Sequence, residues 1–301
     1  MLKVSVILPT YNSERRLQRT LDSITGQTGK GTDFTIELIV VDDCSTDQTQ
    51  EILRQNRIEF LRTHAHCGGP NKGRNIGLKH ASGDYICFID HDDLWAKDKI
   101  QCQLKVAQIC PIVSTGYTVI DMFHHTGLSD TSDAGEIKIL PKNGAFLQKL
   151  TRNKKGQQPY PSTLMINKAL KHIRFEERFG MVDYDWQLRL FENHSYAIIS
   201  KPLVTRYVTG GNLSLNKEYR KIDYQYSLTS LEWYTQRYPR EVELARKHIN
   251  GTLARYFYVT GEMHAARKYF RKSIWDLKTI LYYFTSYYGN NLVKKHFRVF
   301  G

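Results

Sequence analysis

The sequence predicts an α/β fold with a mostly parallel sheet, flanked by helices, and a helical appendage at the C-terminal end. Strand-like and helix-like segments alternate through the first third of the 301 residues. Apolar runs such as LIVV and ICFI are continuous, which is typical of strands that are buried on both faces. The composition, with 41% hydrophobic and 24% charged residues, is that of a globular protein with a real core.

The first strand is predicted at 4–8. The helix after it has an apolar face at Leu17, Leu21 and Ile24, and Ser13 is its predicted cap. The elements that follow are strands at 35–41, 58–61 and 85–89 and helices near 48–55, with Ser45 or Thr46 as cap, and near 74–80. Because parallel strands need crossover connections, this alternation predicts parallel neighbours in one sheet.

Polar side chains follow three of these strands. They are Thr10-Tyr11-Asn12 after the first strand, Asp42-Asp43 after the second, and Asp90-His91-Asp92-Asp93 after the fourth. In open parallel sheets ligands bind beyond the carboxyl ends of the strands. The sequence therefore predicts a ligand site at this edge, although each cluster also has a structural interpretation.

The acidic loop after the fourth strand needs a positive partner, because like charges so close together repel. Neighbouring carboxylates suit Mg²⁺ or Mn²⁺, which bind one or two carboxylates together with substrate phosphates. The same residues also fit a solvated loop in which Asp92 or Asp93 caps the next helix. Likewise, an aspartate of the Asp42-Asp43 pair either contacts a base or ribose or belongs to a helix cap.

Two further segments carry candidate chemistry. Arg74-Asn75 follows a glycine-rich loop and opens a predicted helix, an arrangement that suits a phosphate. In the segment GMVDYDWQLR, Asp183 and Gln187 share one helix face. Asp183 is either a general base at the sheet edge or a carboxylate that the helix dipole favours.

The net charge of +13 is concentrated at the C-terminal end. Residues 201–301 contain 18 Lys and Arg but 7 Asp and Glu, and the last 83 residues contain 19 of the 36 aromatic residues. Helical periodicity runs through 251–286, with Gly261 between two helices. This region suits a partner of negative charge, either nucleic acid or an anionic membrane surface. The alternative is an aromatic helical core with a solvated charged face.

The five cysteines form no CxxC pair, and His64, His66 and Cys67 match no common zinc spacing. Free thiols in a reducing compartment are therefore expected. The N-terminal segment lacks the cleavage region of a signal peptide, and no apolar run approaches 18 residues. These observations predict a cytoplasmic protein, with peripheral attachment to the inner face of the membrane as an option.

Taken in order, four segments resemble the family 2 glycosyltransferases of the GT-A fold. They are VSVILPTYN, ELIVVDDCSTD, GRNIGLKHASGDYICFIDHDD and VDYDWQLR. The resemblance covers roughly residues 3–205 and implies a GT-A domain over 1–215, followed by the basic, aromatic-rich helical region over 216–301. Val182 and Val208 depart from the family, which usually has glutamate and histidine at these places.

The resemblance also implies a role for each site residue. Pro9, Thr10, Tyr11 and Asp43 would bind the nucleobase end of a nucleotide-sugar, Arg74 the base or diphosphate, and Asp90 the ribose. Asp92 would bind Mn²⁺ or Mg²⁺, His91 would be the variable middle of the DxD motif, and Asp93 would support the loop or cap a helix. Asp183 would be the catalytic base.

The expected function is a metal-dependent inverting hexosyl- or N-acetylhexosaminyl-transferase in cell-surface polysaccharide synthesis. Its partners would be a nucleotide-sugar, most simply a UDP-sugar, a saccharide or lipid-linked saccharide acceptor, and an anionic membrane surface, with no nucleic acid expected. A sugar-nucleotide nucleotidyltransferase would need a glycine-rich phosphate loop, which PTYNSERR lacks. A non-catalytic, basic nucleic-acid- or membrane-binding scaffold would explain the C-terminal charge but not the three polar strand ends.

Overall fold

The structure is a computed structural model that describes residues 1–121, 126–129, 135–152, 158–208 and 216–289. The chain forms two compact units. Unit 1 comprises Met1–Phe146 and Lys154–Asn212, and unit 2 comprises Leu147–Asn153 and Leu213–Gly301. The domain boundary predicted at residue 215 lies outside the described residues.

Unit 1 contains one ten-stranded sheet. Its strands are β1 (Leu2–Thr10), β2 (Phe34–Asp42), β3 (Phe60–Arg62), β4 (Tyr85–Phe88), β5 (Leu94–Trp95), β6 (Ile112–Asp121), β7 (Thr126–Ser129), β8 (Ile137–Leu140), β9 (Leu164–Asn167) and β10 (Tyr196–Val208). The order is β3-β2-β1-β4-β9-β6-β10-β5, with β7 paired to β6 and β8 paired to β10. The strands β3, β2, β1 and β4 are parallel, whereas β9 is antiparallel to both of its neighbours. The predicted α/β class is confirmed, but the sheet is mixed rather than mostly parallel, because β5, β7, β8 and β9 pair antiparallel with their neighbours.

The helices described in the chain are α1 (Leu17–Thr25), α2 (Thr49–Gln55), α3 (Asn71–His80), α4 (Lys99–Ala107), α5 (Gly144–Leu150), α6 (Tyr184–Phe191), α7 (Lys217–Glu232), α8 (Pro239–Thr260), α9 (Met263–Phe270) and α10 (Leu277–Thr285). Short 3₁₀ turns lie at Pro161–Thr163 and Lys168–Leu170. Residues of α1, α4 and the inner strands form one continuous apolar core in unit 1.

The first strand is longer than predicted and includes Pro9. The carbonyl of Ile7 accepts the backbone N–H of Ile89, the residue just after β4. Pro9 is two residues further along β1, so its backbone faces the same neighbouring strand at a point where β4 has already ended. A proline at this place costs no ladder hydrogen bond. The side chain of Pro9 is buried, and the backbone of α3 approaches it so closely at Gly73 that a Cβ there would lie 3.0 Å from the proline Cβ.

Both predicted helix caps are wrong. At the start of α1 the carbonyl of Ser13, rather than its hydroxyl, accepts the N–H groups of Arg16 and Leu17. At the start of α2 the carboxylate of Asp47 accepts the N–H of Thr49, so neither Ser45 nor Thr46 caps that helix. Each helix begins further along the chain than the sequence pattern indicated.

Unit 2 is built from α7 to α10 and the short segment before residue 154. Gly261 ends α8 with a φ of +88°, a conformation in which glycine has no steric penalty, so the predicted break between two helices is confirmed. The core of the unit consists of Leu253, Ala254, Phe257, Tyr258, Ala266, Phe270 and Tyr282. Among the residues that the structure describes, no helix combines the length and the apolar character needed to cross a membrane.

Candidate active site

The end of β1 and the loop after β3 place two aromatic rings against each other. The rings of Tyr11 and His66 are stacked, with centroids 3.9 Å apart and planes at 21°. The Nδ1 atom of His66 lies 2.8 Å from Oδ2 of Asp43, and the backbone N–H of Asp43 donates to the carbonyl of Thr10. Tyr11, Asp43 and His66 therefore form one cluster at the carboxyl end of the sheet.

Asp43 is a nearly buried carboxylate, 7% exposed, with several donors around it. Its Oδ1 accepts the hydroxyl of Thr63 at 2.7 Å, and the backbone N–H of Cys67 is shared between Oδ1 and Oδ2. Backbone and side-chain donors thus reach both oxygens of Asp43, and Oδ2 is the one that also contacts the His66 ring.

The neighbouring Asp42 has a structural role. It is fully buried and accepts hydrogen bonds from the Thr10 hydroxyl, the backbone N–H of Ser45 and the side-chain amide of Gln50. These bonds fix the turn that leads from β2 into α2. Of the Asp42-Asp43 pair, Asp43 is the residue placed at the edge of the site.

Helix α3 connects the acidic loop to the segment before α6. Arg74, only 4% exposed, donates to Oδ1 of Asp90 at 2.6 Å and to the side chain of Asn71 at 3.2 Å. Asn71 in turn donates to the carbonyls of Glu176 and Val182, each at 2.9 Å. One rigid helix therefore positions Asp90 and the residue immediately before Asp183.

The helix starts at Asn71, so Arg74 does not open it as the sequence suggested. Its guanidinium lies one turn inside α3, 5.2 Å from the ring of Phe175, and is already paired with Asp90. In this structure Arg74 orients Asp90. Its predicted contact with the base or diphosphate stays a prediction.

A close backbone contact completes this connection. Gly180 has a φ of +71°, and its carbonyl accepts the backbone N–H of Asn71 at 2.9 Å. A Cβ atom on Gly69 would lie 2.4 Å from that same carbonyl oxygen, closer than real Cβ contacts allow. The glycine-rich loop before α3 and the loop before α6 can meet only because position 69 has no side chain.

The acidic loop concentrates three carboxylates with few donors. The backbone N–H of Asp90 donates to the Ser162 hydroxyl, and its carboxylate is paired with Arg74, while the Asp92 carboxylate lies 3.5 Å from a guanidinium nitrogen of Arg16. Asp93 is 2% exposed, and its Oδ2 has no hydrogen-bond partner in the part of the chain that the structure describes. Asp93 lies within the loop and does not cap α4, which begins at Lys99.

Electrostatics in this loop favour an added cation. Burial raises the pKa of Asp93 well above its usual value, and the charges of Asp90 and Asp92 raise it further. Burial also raises the pKa of Asp92, with Asp90 adding to the effect and nearby His91 and Arg16 opposing it. A divalent cation would reverse both shifts, and hard carboxylate oxygens are the donors that Mg²⁺ and Mn²⁺ prefer.

The residues therefore fit a divalent ion that completes its coordination with substrate oxygens. Within the described ranges no group of three or more His, Cys, Asp or Glu side chains is arranged to hold a metal ion by itself. This agrees with the chemistry of Mg²⁺, which keeps waters and substrate phosphates among its ligands. If such an ion binds this loop, Asp92 and the buried Oδ2 of Asp93 would hold it.

Asp183 stands immediately before α6 and is half-buried. Its Oδ2 accepts a hydrogen bond from the side-chain amide of Gln187 at 2.8 Å, one turn further along the helix. The predicted shared face of these two residues is thus confirmed. The helix is anchored by the fully buried Trp186. Its ring stacks on Phe175 with centroids 4.0 Å apart, and its indole N–H donates to the carbonyl of Ile173.

Sequence reasoning missed several residues of this edge. His66 stacks on Tyr11, Ser162 accepts a hydrogen bond from the acidic loop, and the Arg206 guanidinium on β10 lies 5.3 Å from the ring centre of the half-buried Tyr160. The Arg206 charge acts on Asp93, whose pKa it lowers against the larger effect of burial. The segment HAHCGG shows the histidine, but the sequence carries no signal that places its ring on Tyr11.

Comparison with known proteins gives the family. The family model described as "Glycosyl transferase family 2" matches residues 5–174, which is more than half of the chain. The chain belongs to glycosyl transferase family 2. The match includes β1, the Asp42-Asp43 pair, α3 and the acidic loop, and it ends before Asp183.

Two relatives illustrate the similarity within the family. The poly(ribitol-phosphate) beta-N-acetylglucosaminyltransferase TarS of Staphylococcus aureus is 42% identical over 105 residues, 34% of this chain and 18% of TarS. The putative teichuronic acid biosynthesis glycosyltransferase TuaG of Bacillus subtilis is 35% identical over 173 residues, 53% of this chain and 66% of TuaG. The matches thus span less than a fifth of TarS and about two thirds of TuaG.

Solved structures share the fold. The crystal structure of S. aureus TarS 1–349 in complex with UDP-GlcNAc superimposes with a TM-score of 0.64 over 95% of this chain and 79% of that chain, at 20% identity. The TarS 1–349 complex with UDP gives a TM-score of 0.62 over 98% of this chain and 91% of that chain, at 19% identity. The GT-A fold of this family member is therefore established.

Proposed function

We propose that this chain is an inverting, metal-dependent glycosyltransferase that moves a sugar from a UDP-sugar to a saccharide or lipid-linked saccharide. The observation that carries the proposal is the position of α3, which joins Asp90 through Arg74 and the segment before Asp183 through Asn71. The family 2 membership supports the reaction class.

Uracil suits the base end of the site. Asp43 accepts the Thr63 hydroxyl at Oδ1 and the backbone N–H of Cys67 at Oδ2, and Oδ2 also accepts from the His66 ring that stacks on Tyr11. Uracil has a single ring N–H donor on its Watson–Crick edge, whereas guanine has several adjacent donors. Stacking on Tyr11 and one hydrogen bond to Asp43 would together hold a uridine nucleotide.

In the transfer step Asp183 takes the proton of an acceptor hydroxyl as its oxygen attacks the anomeric carbon. The bond from that carbon to the diphosphate breaks from the opposite face, and UDP leaves with the electron pair. Gln187 fixes the carboxylate of Asp183 through Oδ2. When Mn²⁺ or Mg²⁺ is bound at Asp92, it supplies Lewis-acid stabilisation of the leaving diphosphate.

The printed names of the relatives guide the choice of sugar and acceptor. TarS is an N-acetylglucosaminyltransferase and its solved complex contains UDP-GlcNAc, so we propose UDP-GlcNAc as the first donor to test. Poly(ribitol-phosphate) and teichuronic acid in the names of TarS and TuaG support a cell-surface polysaccharide as the product.

A screen of nucleotide-sugars tests the proposal. UDP-, GDP-, CDP- and ADP-sugars are incubated with the protein and Mn²⁺, and nucleotide release and direct binding are both measured. We expect release and binding with at least one UDP-sugar. Binding of random DNA at low salt, with no binding of any nucleotide-sugar, would instead support the scaffold alternative and refute the transferase.

We further propose that the acceptor is reached at an anionic membrane surface. Helix α10 and the residues after it expose an apolar face, with Leu277 87%, Phe284 60% and Tyr288 94% exposed, and Lys272 and Lys278 are exposed beside it. Each basic residue near an anionic leaflet contributes about 1 kcal/mol. Such a protein would act on the inner face of the cell membrane.

Vesicle co-sedimentation tests this surface. We expect binding to vesicles with anionic lipid and weaker binding by Phe284→Asp. The matched control is Leu244→Asp on α8, an exposed leucine outside this face. Equal binding of all three proteins, or no binding at low salt, would contradict the membrane proposal without affecting the donor site.

A further inference from the structure

The imidazole of His66 occupies a distinctive position. Its ring stacks on Tyr11 with centroids 3.9 Å apart, and its Nδ1 lies 2.8 Å from Oδ2 of Asp43. The carboxylate accepts at that contact, so Nδ1 carries the hydrogen and donates it. A planar nitrogen ring thus lies flat on the tyrosine and gives one N–H to the aspartate.

These are the same two contacts that the proposed function assigns to a uracil base. Uracil is also a planar nitrogen ring, would stack on Tyr11, and would give its ring N–H to Asp43. Both rings cannot use the same face of Tyr11 and the same oxygen of Asp43 together. The remaining donors to Asp43, from Thr63 and Cys67, do not depend on which ring is present.

We propose that His66 is a built-in surrogate for the nucleobase, which fills the base site of the free protein and leaves it when a uridine nucleotide binds. This inference rests on the proposed function, because it takes Tyr11 and Asp43 as the base site. His66 is then a specificity-determining residue: a ligand base must compete with the imidazole for both contacts. The apparent affinity for the donor is the intrinsic affinity multiplied by the fraction of molecules in which the His66 ring has left the base site.

The local structure allows the ring to leave. His66 lies in a loop between β3 and α3, and its side chain is 44% exposed, so rotation of its side-chain torsions moves the ring into solvent. The loop itself remains anchored, because the backbone N–H of Cys67 donates to Asp43. Gly68, which follows this anchor, has a φ of +73° and nothing within 4 Å of the place that a Cβ would take, so the chain beyond the anchor is not packed against neighbours.

Replacement of His66 tests the proposal. The dissociation constant for UDP is measured by titration calorimetry, with Mn²⁺ present, for the wild-type chain, His66→Ala and His64→Ala. His64 is exposed on the same loop and serves as the matched control. We expect His66→Ala to bind UDP about tenfold more tightly, equivalent to about 1.4 kcal/mol, and His64→Ala to bind like wild type.

A spectroscopic measurement gives an independent readout. In protein with ¹⁵N-labelled histidine, the His66 imidazole signal, assigned from the His66→Ala spectrum, should change from a hydrogen-bonded to a solvent-exposed Nδ1 as UDP is added. An effect of His66 on folding alone would not produce this change. Addition of uridine should produce the same change as UDP, because the competition is for the base site.

The outcomes separate the inference from the proposed function. Weaker or unchanged UDP binding by His66→Ala, or an imidazole signal that UDP does not alter, would overturn the surrogate role while the donor site stands. If none of the three proteins binds UDP, the proposed uridine-nucleotide site is wrong, and the surrogate role is overturned with it.

Discussion

A lysine in the centre of unit 1 makes the stability of this protein depend on pH in a measurable way. Lys99 on α4 is fully buried, and its Nζ lies 4.0 Å from the centre of the Trp95 ring and 2.7 Å from Oε1 of Gln103. Among the described residues it forms no ion pair with a carboxylate. Burial therefore lowers the pKa of Lys99 from its ordinary 10.5 to about 8.

The size of the effect follows from this difference. Because the unfolded chain binds the lysine proton more tightly than the folded chain, the free energy of unfolding rises with pH. At pH 7 the charged lysine costs about 3 kcal/mol, and at pH 9.5 only about 1 kcal/mol of that cost remains. Lys99→Met has no such proton, so the wild type should gain about 2 kcal/mol relative to this variant between the two pH values.

Urea unfolding of both proteins at pH 7.0 and 9.5 measures the gain. The difference at one pH is not diagnostic, since methionine also removes the donor to Gln103, and an unsatisfied buried acceptor costs about 1–3 kcal/mol. The change of the difference with pH is diagnostic, because burial, the main cause of the raised pKa of the Cys87 thiol, acts in both proteins, although the opposing Lys99 charge is lost in the variant. Lys97→Met, at an exposed position, is the control and should show no such change. A pH-independent difference between wild type and Lys99→Met would refute the reasoning.

Three further predictions follow from the sites described. Asp183→Asn should keep UDP-sugar binding and lose about 10²–10⁴-fold in transfer rate, because a general base has been removed. Full activity of this variant in single-turnover kinetics would exclude Asp183 as the base. Removal of divalent ions with EDTA should abolish transfer and Mn²⁺ should restore it; undiminished transfer in EDTA would argue against a metal at Asp92. Burial raises the pKa of Glu37, but hydrogen bonds from Lys3, Ser5 and Ser82 together outweigh it and lower that pKa to about 2. Glu37→Gln should therefore destabilise the protein by about 1 kcal/mol above pH 4.5. Thermal unfolding should show this difference shrinking as the pH falls towards 2.

The parallel direction of the first four strands could be predicted from the sequence because the signals that locate them are local, whereas their order in the sheet, β3-β2-β1-β4, could not. Each strand is marked by a continuous apolar run with polar residues directly after it, and helical periodicity lies between the runs. These signals lie within short stretches of sequence around Val4, Val40 and Ile86. The pairing of β9 with β4 could not be predicted this way. It joins Ile86 to Ile166, and the antiparallel insertion depends on contacts between distant segments rather than on periodicity.

The site could be predicted in part for a similar reason. Asp43, Asp90 and Asp183 stand at the ends of recognisable elements, whereas the connections between them pass through backbone groups. The bond from Asn71 to the carbonyl of Val182 involves an acceptor that every residue has, so no sequence pattern marks it. The stacking of His66 on Tyr11 depends likewise on the path of the loop after β3. Arg206 was missed because it reaches the site from β10, far along the chain.

The contact between Gly69 and the carbonyl of Gly180 makes one position sensitive to any change of residue. Alanine at position 69 would add a single carbon, yet that carbon would overlap backbone atoms that have no alternative rotamer. The two loops would have to separate, and Asp183 would move with its loop. A displacement of about 1 Å is enough to reduce an enzymatic rate about 100-fold. If Asp183 is the base, as proposed, any side chain at position 69 is therefore expected to slow transfer without touching the substrate.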